Sequence, residues 1–121
     1  MKKILEQAIL HEDLSQVELL LTDYEAKNPA DFDIYSYKIS HALLTKDYQQ
    51  AFLLSQAAVQ LNPFDIEANY NLMVCAELTA HYSDLFRSLL FIQFLQTNYN
   101  ISVISDELLE QKMEQLRAII T

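Results

Sequence analysis

The sequence predicts an all-α fold, an α-solenoid of about three antiparallel helix pairs closed by a single C-terminal helix. Three observations point there. Asn28-Pro29 and Asn62-Pro63 stand 34 residues apart, and Ala8, Ala42 and Ala76 keep the same step, as do Leu10, Leu44 and Leu78. Thr45/Thr79, Tyr48/Tyr82 and Phe52/Phe86 also coincide in the second and third copies. A fixed period of this length is the signature of stacked helical repeats. The chain contains no glycine, so turns that need positive φ fall to other residues, which disfavours hairpin-rich β folds. Finally, apolar residues recur at helical rather than alternating spacing, as in Val17, Leu20, Leu21 and Tyr24.

Seven helical segments follow in order. The first runs from about Lys2 to Leu10. Asp13 caps the second, which continues to Lys27 and stops at Asn28-Pro29, because the residue before a proline is pushed out of the α region. The third covers Asp33 to Leu44, with Ile34, Tyr37, His41 and Leu44 along one stripe. Asp47 caps the fourth, in which Ala51, Leu54, Ala58 and Leu61 recur before Asn62-Pro63. The fifth spans Asp65 to about Thr79, and the sixth Ser83 to Gln96 with Ser83 as its cap. Asn98-Tyr99-Asn100 forms a loop without a proline. Ser105 then opens the last helix, where Asp106 and Glu107 sit well against the N-terminal dipole. Leu108, Leu109, Met113, Leu116 and Ile120 make that helix amphipathic. The units are thus 1–29, 30–63 and 64–97, with a capping helix over 105–120, in one domain of 121 residues. Alanines at Ala8, Ala42 and Ala76 on first helices, and Ala51 and Ala58 on the middle second helix, let axes approach closely.

Around the second proline the chain reads Asp47-Tyr48-Gln49-Gln50-Ala51, then Ala58-Val59-Gln60-Leu61-Asn62-Pro63. This is similar to the second helix and terminal proline of the tetratricopeptide repeat family. Glu67-Ala68-Asn69-Tyr70-Asn71-Leu72 resembles that family's first-helix opening. The resemblance covers roughly 2–97 and each repeat matches in part. Leu5, Ile39 or Met73 replaces the family's usual small residue, no Trp stands at a helix start, and Thr97 occupies the place of a third proline. The resemblance implies a divergent array whose first helices line a concave face that receives a partner's peptide or helix.

The charge balance excludes several partner classes. With 17 acidic against 8 basic residues the net charge is −9, which argues against nucleic acid and against an anionic membrane surface. One cysteine, Cys75, cannot form an internal disulfide, which fits a reducing compartment. Glu6, His11, Glu12 and Asp13 interrupt any apolar leader core, and no stretch approaches the roughly 18–20 apolar residues of a membrane span. A cytoplasmic, acidic, water-soluble protein is the expectation.

Catalytic chemistry finds little support. His11, His41 and His81 lie near the ends of first helices at intervals that do not repeat, and none has a clean metal-ligand partner apart from the neighbours Glu12 and Asp13 of His11. Helix-end histidines usually interact with terminal carbonyls. Cys75, beside Ala76, reads as a small buried residue. A phosphate loop cannot be built without glycine. No enzymatic activity, cofactor or metal is expected.

Two surfaces carry the functional expectation. On the concave face the outward positions are Asp33, Ser36, Tyr37 and Ser40 in the second unit and Glu67, Tyr70, Asn71 and Val74 in the third. Of these, Tyr37, Ser40, Glu67, Tyr70, Asn71 and Val74 are the expected partner contacts, Tyr and Asn combining ring area with adaptable hydrogen bonding. The carboxylate-gripping subset of the family uses several Lys and Arg there, whereas only Lys38 is near here. The sixth helix is the second surface: Leu85, Phe86, Leu89, Leu90, Phe91, Ile92, Phe94 and Leu95 leave almost no polar side, so it should be buried all round. Cover by the last helix accounts for this, and an oligomer seam through Phe91, Phe94, Leu95, Leu109 and Met113 is the alternative. The leading function is a non-catalytic protein–protein interaction module. Two alternatives stand beside it: homo-oligomerisation through the apolar C-terminal helices, and the repeat portion or accessory of a larger bacterial protein. The second rests on 33–38 and 67–72, which look similar to repeat segments preceding glycosyltransferase domains.

Overall fold

The structure, a computed structural model, describes residues 1–120. Its described residues form seven α-helices and no strand: α1 (Lys2–Leu10), α2 (Leu14–Lys27), α3 (Asp33–Leu44), α4 (Tyr48–Leu61), α5 (Ile66–Leu78), α6 (Tyr82–Asn98) and α7 (Asp106–Ile120). The side chain of Ile120, expected on the apolar side of the last helix, lies outside the described residues.

Each turn within a pair closes by the same local chemistry. After α1, the N–H of Glu12 donates to the Ile9 carbonyl and that of Asp13 to the Ala8 carbonyl, both at 3.0 Å. After α3, Lys46 donates to Leu43 at 3.1 Å and Asp47 to Ala42 at 2.8 Å. After α5, Ala80 donates to Glu77 at 3.4 Å and His81 to Ala76 at 2.9 Å. These are Schellman closures, and each needs a left-handed residue. Glu12, Lys46 and Ala80 supply it at φ 54°, 61° and 59°, so a chain without glycine accepts steric strain at all three. Asp13 and Asp47 then serve a second time, their carboxylates accepting from the N–H groups of Gln16 and Gln50 as helix caps.

The third such turn differs. α6 begins at Tyr82 with His81 in the cap position and no side-chain capping bond, so Ser83 is inside the helix and not its cap. The backbone closure on Ala76 already fixes the entry of the chain there, and the His81 ring is used elsewhere. α6 also runs past Gln96 to Asn98. Gln96 sets the following loop: its Oε1 accepts from the N–H groups of Val103 and Ile104 at 3.1 and 2.9 Å, while its Nε2 donates to Asp106 at 2.9 Å. Ser105 caps α7 as expected, its hydroxyl accepting from Leu108 at 3.1 Å.

Helices adjacent in sequence pack on one another throughout. Among the odd-numbered helices, α1 and α5 each also approach α3 to within 8 Å between backbones, whereas α2 and α4, and α4 and α6, stay farther apart than that. Burial divides into two clusters that meet at α3. Leu5, Ala8, Val17, Leu21, Tyr24, Ile34 and Tyr37 form the N-terminal one. The larger runs from Ile39 and Ala42 through Ala51, Phe52, Leu72, Met73, Cys75, Ala76, Leu85, Leu89 and Ile92 to Leu109, Met113 and Leu116 on α7. α7 is pinned further by Lys112, whose ammonium reaches Glu77 of α5 at 2.8 Å.

Candidate partner-binding surfaces

The odd-helix face is tied together laterally by polar pairs. Lys2 of α1 bridges Asp31 at 3.1 Å and Asp33 at 2.6 Å. The Tyr37 hydroxyl of α3 donates to Glu6 of α1 at 3.1 Å, and the Ser36 hydroxyl of α3 donates to Glu67 of α5. These pairs fix which expected contact residues remain free to meet a partner. Tyr70 is exposed, and Ser40, Asn71 and Val74 are half-buried, Val74 lying against the larger core. Glu67 is exposed but shares its carboxylate with Ser36. Asn71 and Glu67 line a small hollow of about 30 Å³ with Ser36 and Asp65.

Tyr37 departs from expectation. It is buried, its ring edge-on to Tyr24 at 5.8 Å between centroids, and so it belongs to the core rather than to an outward face. α3 has neighbours on nearly every side, which leaves a large ring no route outward. Burial, reinforced by Glu6, pushes its hydroxyl well above the ordinary tyrosine value. The oligomer-seam expectation changes too: Leu95, Leu109 and Met113 are core residues, Phe91 is half-buried and Phe94 is exposed.

The expectation that α6 is buried all round is overturned. Leu85, Ser88, Leu89, Ile92 and Leu95 are buried, but Phe86, Leu90 and Phe94 keep 39%, 41% and 50% of their surface in solvent. Among the described helices, α5 and α7 are the ones that pack on α6. Aromatic contacts border the patch, Phe94 meeting Tyr99 at 5.6 Å and Phe64 meeting Phe91 at 6.2 Å.

A cleft that the sequence reading missed opens where α2 and α4 part over α3. One end, about 400 Å³, is lined by Glu18, Thr22, His41, Thr45, Asp47 and Gln50, among others. A second space of about 610 Å³ is lined by Pro29, Phe32, Tyr35, Ala57 and Leu61, among others. Both touch Glu25, Lys38 and Leu54, so they adjoin along one line. Lys38 pairs with Glu25 at 2.7 Å, and the His41 ring lies 3.1 Å from Glu18, so both of these α3 side chains meet an acid of α2. Lys38 is therefore engaged across the cleft and is not a cation of the odd-helix face.

Cys75 and His81 are explained by packing. Cys75 is buried and its thiol is pushed up by that burial, the opposite of an activated nucleophile. His81 stacks on Phe52 at 3.8 Å between ring centroids, with its Nδ1 2.7 Å from the Thr79 hydroxyl. Among the described residues no group of His, Cys, Asp and Glu is arranged to hold a metal ion, and no helix is long and apolar enough to cross a membrane. Comparison with protein-family models, with curated proteins and with solved structures finds no match.

Proposed function

We propose that this chain is a non-catalytic protein-interaction module, a divergent tetratricopeptide-like solenoid that receives a peptide or helix of a partner on the face of its odd helices. The observation that carries the reading is the unequal spacing of the two helix layers. α1 and α5 each approach α3 to within 8 Å, while the even helices splay, and in a two-layer stack the closer-spaced layer lies on the inside of the curve. The turns at Glu12, Lys46 and Ala80 keep the 34-residue step of the Asn-Pro pairs, which supports a repeated unit. Ser40, Tyr70, Asn71 and Val74 then present a polar and aromatic inner surface. The net charge of −9 favours a basic or apolar segment.

Capture from extracts of the native host by immobilised protein tests this. The double variant Tyr70→Ala/Asn71→Ala should lose a specific prey at least about tenfold, the scale of an interface anchor, while melting at an unchanged temperature. Retention of every prey by a folded double variant contradicts the reading. The cleft between α2 and α4 favours a second reading, in which the segment lies over Leu54 instead. Leu54→Glu separates the two: it blocks the cleft and leaves the odd-helix face intact.

A further inference from the structure

We propose that two copies of this chain pair through α6, antiparallel, about a twofold axis at Leu90. The exposed residues Phe86, Leu90 and Phe94 are spaced by four, so they form one stripe along the helix. α6 already spends its opposite side on the larger core, through Leu85, Leu89 and Ile92. What the stripe lacks is visible one unit earlier. Phe52, the residue of α4 that matches Phe86 in the 34-residue step, is only 2% exposed and is covered by the His81 ring at the start of α6. Among the described residues no ring stacks on Phe86. α7 reaches α5 through Lys112 and Glu77, and Phe86, Leu90 and Phe94 stay partly in solvent.

A second copy fits the stripe for two reasons. The stripe reads the same in both directions about Leu90, so an antiparallel pairing sets Phe86 on Phe94 of the other copy and Leu90 on its own equivalent. This self-complementarity is what a twofold interface requires. The charge pattern agrees: α6 carries only Asp84 and Arg87, which cancel, whereas the chain as a whole is −9. Two strongly acidic copies meet little local repulsion along such a helix. The pairing is independent of which face receives a partner.

Analytical ultracentrifugation over a micromolar concentration series, combined with single-cysteine crosslinking, tests it. The wild-type chain should shift reversibly from monomer to dimer, and Leu90→Glu should remain monomeric with unchanged helicity. Under mild oxidation Leu90→Cys should form a covalent dimer, because a residue on the axis faces its own equivalent. Phe86→Cys should not, since its two copies would lie about 12 Å apart along the helix, beyond the roughly 7 Å reach of a disulfide. Cys75 is buried and serves as the unreactive background. A monomer at every concentration, a dimer that survives Leu90→Glu, or equal crosslinking at both positions would overturn the proposal.

Discussion

The core between α1, α2 and α3 adds two buried tyrosines with acid-bound hydroxyls to its aliphatic side chains, whereas the core from α3 to α7 closes mainly on aliphatic side chains. In the first, Tyr24 and Tyr37 are buried rings whose hydroxyls donate outward to Asp31 and Glu6, and Lys2 ties Asp31 to Asp33. In the second, Leu85, Leu89, Ile92, Leu72 and Met73 pack around Ala51 and Ala76. Its buried hydroxyls, Ser55 and Ser88, are satisfied locally by the Phe52 and Leu85 carbonyls at 2.8 and 2.9 Å. The difference teaches that one turn chemistry can serve two kinds of packing. The backbone closures at Ala8, Ala42 and Ala76 are alike, but what fills the space between helices decides how much each region depends on charge.

The largest effect that sharpens this comparison comes from Leu89, which is fully buried. Leu89→Ala should cost about 2–5 kcal/mol of global stability, read by urea unfolding. Tyr37→Phe keeps the ring and removes one partly buried hydrogen bond, so it should cost only about 1 kcal/mol and act on the N-terminal region. Equal losses from the two would erase the distinction.

Ala80→Gly comes next and should stabilise the chain by about 1 kcal/mol, because glycine relieves the left-handed strain at that turn. Thermal melting checks it, and a lower melting temperature would mean that the turn is not strained. Lys112→Ala is expected to be the smallest change, within about 1 kcal/mol, since its pair with Glu77 is partly solvated.

pH separates the regions more selectively. The hydroxyl of Tyr24, held by Asp31, and that of Tyr37, desolvated by burial, are both shifted upward in the fold. Their contribution is complete below the unfolded tyrosine value of about 10 and is lost as pH rises toward the raised folded values. Lys2, raised by Asp33 and Asp31, has the same sign. Asp31 is shifted downward, first by Tyr24; its contribution is present above the ordinary carboxylate range and is lost as pH falls through the lowered folded value. Cys75, raised by burial, is the shifted group in the larger core. The N-terminal region should therefore loosen first in acid, followed by the near-ultraviolet tyrosine signal, whereas in alkali both regions lose a contribution. Asp31→Asn should flatten the acid limb, and an unchanged acid limb in that variant would contradict the assignment.

Much of the helix order was legible because it is written in local chemistry. Asp13 and Asp47 accept from the N–H groups three residues on, as does Asp65 from Ala68 at 2.8 Å, and Asn28 and Asn62 stand at helix ends beside their prolines. Ser83 misled because the cap position in register with Asp13 and Asp47 is His81, which makes no side-chain capping bond. Tyr37 misled for a tertiary reason: a helix enclosed by α1, α2, α4 and α5 has no free side for a large ring. The exposure of Phe86, Leu90 and Phe94 was equally invisible, since an apolar helix does not announce whether a further helix lies over it. The cleft above Lys38 and His41 depends on the separation of α2 and α4, a distance that no local pattern encodes.

Native-state hydrogen exchange tests the central contrast most directly. Amides in the middles of α4, α5 and α6 should exchange only through global unfolding, while those of α1 and α2 should exchange through a lower-energy opening that leaves α4 to α7 protected. One common opening free energy from α1 to α6, or stronger protection in α1 and α2, would contradict it.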